Sequence, residues 1–331
     1  MPSTYAHQHF GNLVFDKLPE KLQEEIAPYR GLYNIGLQGP DIFFYYKPLH
    51  KNDVAAYGGR LHGQTGAAFF GKRLSILAGL DPARQPAARA FLCGTACHFA
   101  LDTTCHGYVN WYEKTRHVPH NVIEGDFDRE LLAAAGFVPV MADISEEFAK
   151  GVRSGAVEAC SGRAGAAKTA QNCADTAGGA GTARRDAAES AGAETAIAPF
   201  YPEMDEQTIR TALHDFVRFH HILLCRSDLK RNFLLAALKV LGQYDALRGH
   251  IVGKAEDPSC HASNQELVKL LSGAVSDGVL MVSYIAGQRK TAPALLSGKF
   301  DWTADSWPQD GTERNQHVTI CRLYGTARVR S

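Results

Sequence analysis

The chain has 331 residues, 45% of them apolar, which is enough for a sizeable core in one large domain or two ordinary ones. Its 35 basic residues balance 35 acidic ones, so it lacks the basic field on which sequence-independent nucleic-acid binding depends, and no long nucleic acid is expected as a partner. The first residues, Met-Pro-Ser-Thr-Tyr-Ala-His, do not read as a secretory signal, and no later stretch reads as a transmembrane segment, so a cytoplasmic protein is expected.

In chain order, a short helix is predicted from Pro19 to Pro28, and Gly36 to Asp41 reads as a loop leading into the aromatic run Ile42-Phe-Phe-Tyr-Tyr46. A helix is predicted from about Ala55 to Leu77. A second runs from about Ala87 to Tyr112, where Ala88, Phe91, Leu92, Ala96, Phe99 and Val109 recur at three and four. A third starts at His117 or Pro119 and runs through Ala135. Between about Gly151 and Ala198 the composition collapses to Ala, Gly, Ser and Thr, too poor in large apolar residues to bury a core. An amphipathic segment follows from Asp205 to Leu241, then a helix pair around Asn264 to Leu271 and Ala274 to Gln288, and a polar tail from Thr303.

No strand signal is strong enough to build a sheet, so the expected fold is all-α. The expected organisation is a metal-site helical part over residues 1–150, a low-complexity insertion over 151–200, helices of the same domain over 201–302 and a tail over 303–331.

The polar chemistry is front-loaded, with eight of the fourteen histidines at or before position 120. His98, Asp102 and His106 stand four residues apart inside an apolar run. At about 100° per residue, each step of four drifts about 40°, so the three share one helix face. His120 and Glu124 repeat the arrangement on the next predicted helix. Imidazole with carboxylate is the ligand mix that zinc accepts in catalytic sites, and polar groups on so apolar a helix need partners. Cys93, Cys97 and Cys105 lie in the same run, and with no second Cys pair at zinc-finger spacing they read as packed free thiols.

His98-x3-Asp102, His106 and His120-x3-Glu124, preceded by Gly-Pro-Asp41, His62 and His7, resemble the zinc-dependent phospholipase C family, whose all-helical fold is shared with the single-strand-specific zinc nucleases. The resemblance implies that Asp41, His62, His98 and Asp102 hold one Zn2+ and that His106, His120 and Glu124 hold a second. A third would rest on His7 and the bridging Asp102, completed by the amine and carbonyl of a mature N-terminus. It implies a metal-dependent phosphoric ester hydrolase in which a multinuclear zinc cluster activates water for in-line attack at phosphorus, with Asp41 as the candidate to orient that water. The implied substrate is a phospholipid or a small phosphodiester. A nuclease or phosphomonoesterase on the same scaffold is the alternative, and a noncatalytic metal-binding protein is a third reading. The sequence leaves oligomeric state unknown.

Other residues compete for roles. His9 rivals His7 as the N-terminal ligand, and His50 and His117 match no ligand slot. His214-Asp215 spells the metal-binding dipeptide of the HD phosphohydrolases but falls on an amphipathic segment, where it reads as helix surface together with His220 and His221. The aromatic run at 43–46 reads as core packing.

Overall fold

The structure, a computed structural model, describes residues 3–160 and 192–307, with side chains left aside over 155–160. Thirteen α-helices run in order among the described residues: α1 (Thr4–Lys17), α2 (Glu20–Ile26), α3 (Arg30–Gly36), α4 (Asp53–His62), α5 (Gly66–Gly79), α6 (Gln85–Arg116), α7 (His120–Ala134), α8 (Glu146–Cys160), α9 (Ala193–Ile197), α10 (Glu206–Leu223), α11 (Asp228–Val240), α12 (Tyr244–Leu247) and α13 (His261–Ile285). Among these residues β-structure is confined to an isolated bridge between Thr65 and Lys299, so the fold is all-α as expected.

The 32-residue α6 is the axis, and α1, α3, α7 and α13 pack around it. Nearly its whole first two thirds is buried, because apolar residues and cysteines occupy every face rather than one stripe. Cys93, Cys97 and Cys105 are buried free thiols, which matches the packing expectation. Where α3 crosses α6 the backbones touch. A Cβ on Gly94 would stand 2.1 Å from the Tyr33 carbonyl, and one on Gly36 would stand 2.2 Å from that of Phe91.

Several predicted boundaries are corrected, each for a local reason. The helix expected from Ala55 to Leu77 is two, broken at Gly63, because the Thr65 hydroxyl caps a new helix by accepting the Ala68 N–H. The segment from Asp205 to Leu241 likewise breaks, with Leu224 extended and Ser227 capping α11. The pair expected between Asn264 and Gln288 is instead one helix. The face of Leu267, Leu270, Leu271, Ala274, Met281 and Val282 stays in phase across Gly273 and buries against α6 and α1, which outweighs the cost of about 1 kcal/mol for a mid-helix glycine.

α13 is also long and apolar enough to cross a bilayer, against the expectation that no segment would be. Its apolar face lies in the core.

Asp41 sits inside a 3-10 turn (Gly39–Tyr45), not at the end of an open loop. In the low-complexity stretch, residues 151–160 continue α8, and Ala193, Ile197 and Phe200 pack into the core, while 161–191 lie outside the described residues. The tail does not begin at Thr303: Ala304–Ser306 forms a turn against α6, and the Trp307 ring lies 5.0 Å from that of Tyr108. The remaining tail residues lie outside the description.

Candidate metal centre

Five histidines and three carboxylates converge between α1, α4, α6, α7 and the turn at Asp41. The i, i+4 spacing on α6 places His98 Nε2 3.0 Å from Asp102 and His106 Nε2 3.5 Å from the other Asp102 oxygen. The same spacing on α7 sets His120 Nε2 3.0 Å from Glu124 Oε1. Tertiary packing supplies the rest. α1 brings His7 Nε2 to 3.2 Å from Asp102, and the end of α4 brings His62 Nε2 to 2.8 Å from Asp41 Oδ1, whose Oδ2 faces His98 Nε2 at 3.5 Å. His106 spans the two halves, because its Nε2 also lies 3.5 Å from Glu124 Oε1.

The protons on these imidazoles are assigned by their outer neighbours. His62 Nδ1 donates to the Gly58 carbonyl at 2.7 Å, His98 Nδ1 to that of Leu37 at 3.2 Å and His106 Nδ1 to that of Phe300 at 2.9 Å. His120 Nδ1 donates to the Asn110 side-chain oxygen at 2.9 Å. A carbonyl oxygen can only accept, so each Nδ1 carries the proton and the neutral ring turns a bare Nε2 lone pair inward. Those lone pairs face carboxylate oxygens. His62 Nε2, His98 Nε2, Asp41 Oδ2, Asp102 Oδ2 and Glu124 Oε2 are all buried without a hydrogen-bond partner.

Lone pair against lone pair at 3 Å in a buried site is stable only with positive charge between them. In the metal-free protein protons supply it. Burial opposes the charged form of His7, His62 and His106, but the adjacent carboxylates outweigh it and raise all three, His106 to about 10. For Asp102 and Glu124 burial acts against ionisation, yet the imidazoles hold both carboxyls well below the usual range.

A metal ion meets the same demand. Tetrahedral zinc, with bonds of about 2.0–2.2 Å, holds its ligand atoms about 3.3–3.6 Å apart, so the observed 2.8–3.5 Å needs only a small expansion. Two groups offer ligand atoms mutually within 4.8 Å: His7, Asp41, His98 and Asp102, and His106, His120 and Glu124. His62 enters through Asp41 rather than lying inside the first group. The first group is buried, whereas the His120 side chain is 24% exposed, so the second group is the one nearer solvent.

The rival histidines fall elsewhere. His9 stacks on the Tyr5 ring outside the cluster, and His117 is the left-handed cap of α6. His214 lies on the outer face of α10, and Asp215 accepts the Lys47 N–H, so among the described residues the dipeptide meets no partner for an HD site. His221 is exposed and pairs with Asp143 at 3.0 Å. His220 departs from the expected surface placement: it is buried against Phe216, with Nε2 3.0 Å from the Thr4 hydroxyl. Phe43 and Tyr45 are core residues, and Phe44 touches the His62 ring.

Sequence reading missed three supports of the site. The Asp128 carboxylate accepts the N–H groups of Tyr5 and Ala6 at 3.0 and 2.7 Å and the Ser3 hydroxyl, capping the start of α1 from across the fold, three residues before His7. Burial raises Asp128 to about 6 even against these donors. Phe300 packs against the rings of His62 and His98 while its carbonyl holds His106. Gly39, at φ +50°, lies under His98, where a Cβ would come within 2.4 Å of the imidazole. Of the three, only Gly39 leaves a trace in the sequence, as the Gly-Pro turn.

Residues 6–163 match the family model described as zinc dependent phospholipase C. No curated protein and no solved structure matches the chain.

Proposed function

Since residues 6–163 match the zinc dependent phospholipase C family, we propose that this chain is a zinc-dependent phosphodiester hydrolase of phospholipase C type. The observation that carries the proposal is the set of bare, inward-facing Nε2 atoms opposed to unpartnered carboxylate oxygens in two adjoining groups. In this reading Asp41, His62, His98 and Asp102 hold one ion, His106, His120 and Glu124 a second, and His7 with Asp102 contributes to a third. Zinc, when bound, supplies Lewis-acid stabilisation of phosphate charge and a nucleophile at neutral pH.

The chain's own residues set the conditions for that chemistry. The carbonyls of Gly58, Leu37 and Phe300 fix the ring orientation and tautomer of His62, His98 and His106 before any ligand arrives, so little reorganisation is needed. Asp102 offers one oxygen to His98 and the other to His7 and His106, the placement of a bridging carboxylate. Asp41 Oδ2, which receives no hydrogen bond, is the group proposed to orient attacking water. The more exposed His120 end is where a phosphodiester would enter.

Elemental analysis of the purified protein, with hydrolysis assays on a phosphorylcholine ester, single-stranded DNA and a phosphomonoester with and without chelator, tests the reading. Chelator-sensitive cleavage of the phosphorylcholine ester by zinc-loaded protein is the expected result. Well-folded protein that takes up no zinc would sink the proposal, and cleavage of DNA alone would move it to the nuclease class.

A further inference from the structure

A surface cavity of about 720 Å³ lies away from the candidate metal centre, where the outer face of α10 meets α8 and α11. Its floor is apolar, formed by Val152, Val217, Ile222 and Leu234. Its cations are Arg153, Arg218 and Lys230, and among the described residues no carboxylate lines it.

Beside the cavity, α11 is apolar on the wrong side. Leu238 faces the core, yet Leu229, Phe233, Ala236 and Val240 fall within a stripe about 60° wide and point to solvent. Val240 is 88% exposed, Leu229 83% and Phe233 71%, and Leu241 extends the stripe beyond the helix end. Lys230 and Lys239 flank the stripe about 100° and 80° away on opposite sides. Asp228, in the first turn of α11, is paired with Lys254 at 2.6 Å.

Soluble monomers rarely expose so contiguous an apolar surface without a partner for it. Large apolar side chains projecting from a convex helix, with lysines at both margins and a cationic hollow beside them, match the chemistry of an interfacial helix that sinks its apolar face among acyl chains while its cations meet anionic headgroups. We propose that this face of α8, α10 and α11 docks the protein onto a bilayer containing acidic phospholipids. The surface is separate from the ligand set, and the proposal goes beyond the hydrolase reading without depending on it.

Flotation of the zinc-loaded full chain with vesicles tests the proposal, one set of phosphatidylcholine alone and one with about a third phosphatidylserine. The protein is expected to float with the acidic vesicles, to be released by high salt and to be left behind by phosphatidylcholine alone. The combined variant Leu229→Ser, Phe233→Ser, Val240→Ser is expected to bind at least about tenfold more weakly. Arg153→Glu with Arg218→Glu should lose binding through charge. Helical circular dichroism and hydrolysis of a soluble phosphodiester should stay unchanged in both variants, since every substituted side chain is exposed. Failure to float, equal binding to both vesicle types, or a wild-type dimer that the triple variant dissociates would overturn the proposal, the last by assigning the face to a second copy. Flotation without any hydrolysis would refute the enzymatic reading and leave the docking surface standing.

Discussion

Asp102→Asn isolates the central group of the metal centre. One carboxylate, 2% exposed, faces the Nε2 atoms of His7, His98 and His106 at 3.0–3.5 Å, so in the proposed reading it is shared between the ion held with His98 and the one held with His7. The amide keeps the volume but removes the charge and turns an N–H₂ toward at least one imidazole. Loss of a supporting partner alone typically costs 10–100-fold in metal affinity, so loss of a shared ligand should cost about 100-fold or more. At free zinc of 100 times the wild-type Kd, the metal stabilises the wild type by about 2.7 kcal/mol, whereas a 100-fold weaker variant gains only about 0.4 kcal/mol. The zinc-dependent rise in Tm should therefore nearly vanish. Metal-free Asp102→Asn should also be less stable than the metal-free wild type by about 3–5 kcal/mol, because buried imidazolium groups lose their counter-charge. Calorimetry with and without zinc, paired with elemental analysis after dialysis against a chelator, reads both effects. A variant that retains its full metal content and the wild-type zinc-induced shift would refute the assignment of Asp102 as a bridge.

Gly39→Ala should destabilise the protein by about 1–3 kcal/mol and weaken zinc binding, since it adds a Cβ at φ +50° against His98; thermal melts and zinc titration check this. Asp128→Ala should cost about 1–2 kcal/mol by uncapping α1, and should lower zinc content at the His7 end while sparing the His106, His120 and Glu124 group, as metal stoichiometry would show. His214→Ala should leave zinc content and activity unchanged, and loss of either would reopen the HD reading. His106 is raised to about 10, so metal-free protein carries a proton there at pH 7, and His7 and His62 are raised in the same direction; zinc binding should release protons, measured as buffer-dependent heats, and apparent affinity should fall as pH falls. For stability the sign follows from the raised folded pKa. The contribution of His106 to the metal-free fold is full below pH 6.5 and is lost as pH rises toward 10, so metal-free melts should weaken across that range.

The sequence by itself determined the helical class and the two halves of the site that obey helical period. His98, Asp102 and His106 share a face for the same reason that His120 and Glu124 do, and local spacing is a property of the chain alone. The resemblance to the zinc-dependent phospholipase C family also marked Asp41, His62 and His7 as candidates. Only the tertiary structure decided that these reach the same pocket from three other elements, and that His62 joins through Asp41. It also decided where helices break or continue, because Thr65 and Ser227 compete locally as caps whereas the burial of α13 overrides a glycine.

The groups that fix the inward lone pairs were illegible for a deeper reason. Three of them are main-chain carbonyls, of Leu37, Gly58 and Phe300, and a carbonyl is the same chemical group whatever side chain it carries. Side-chain identity names the candidate ligands, but the fold alone places the backbone oxygens that turn their Nε2 atoms inward.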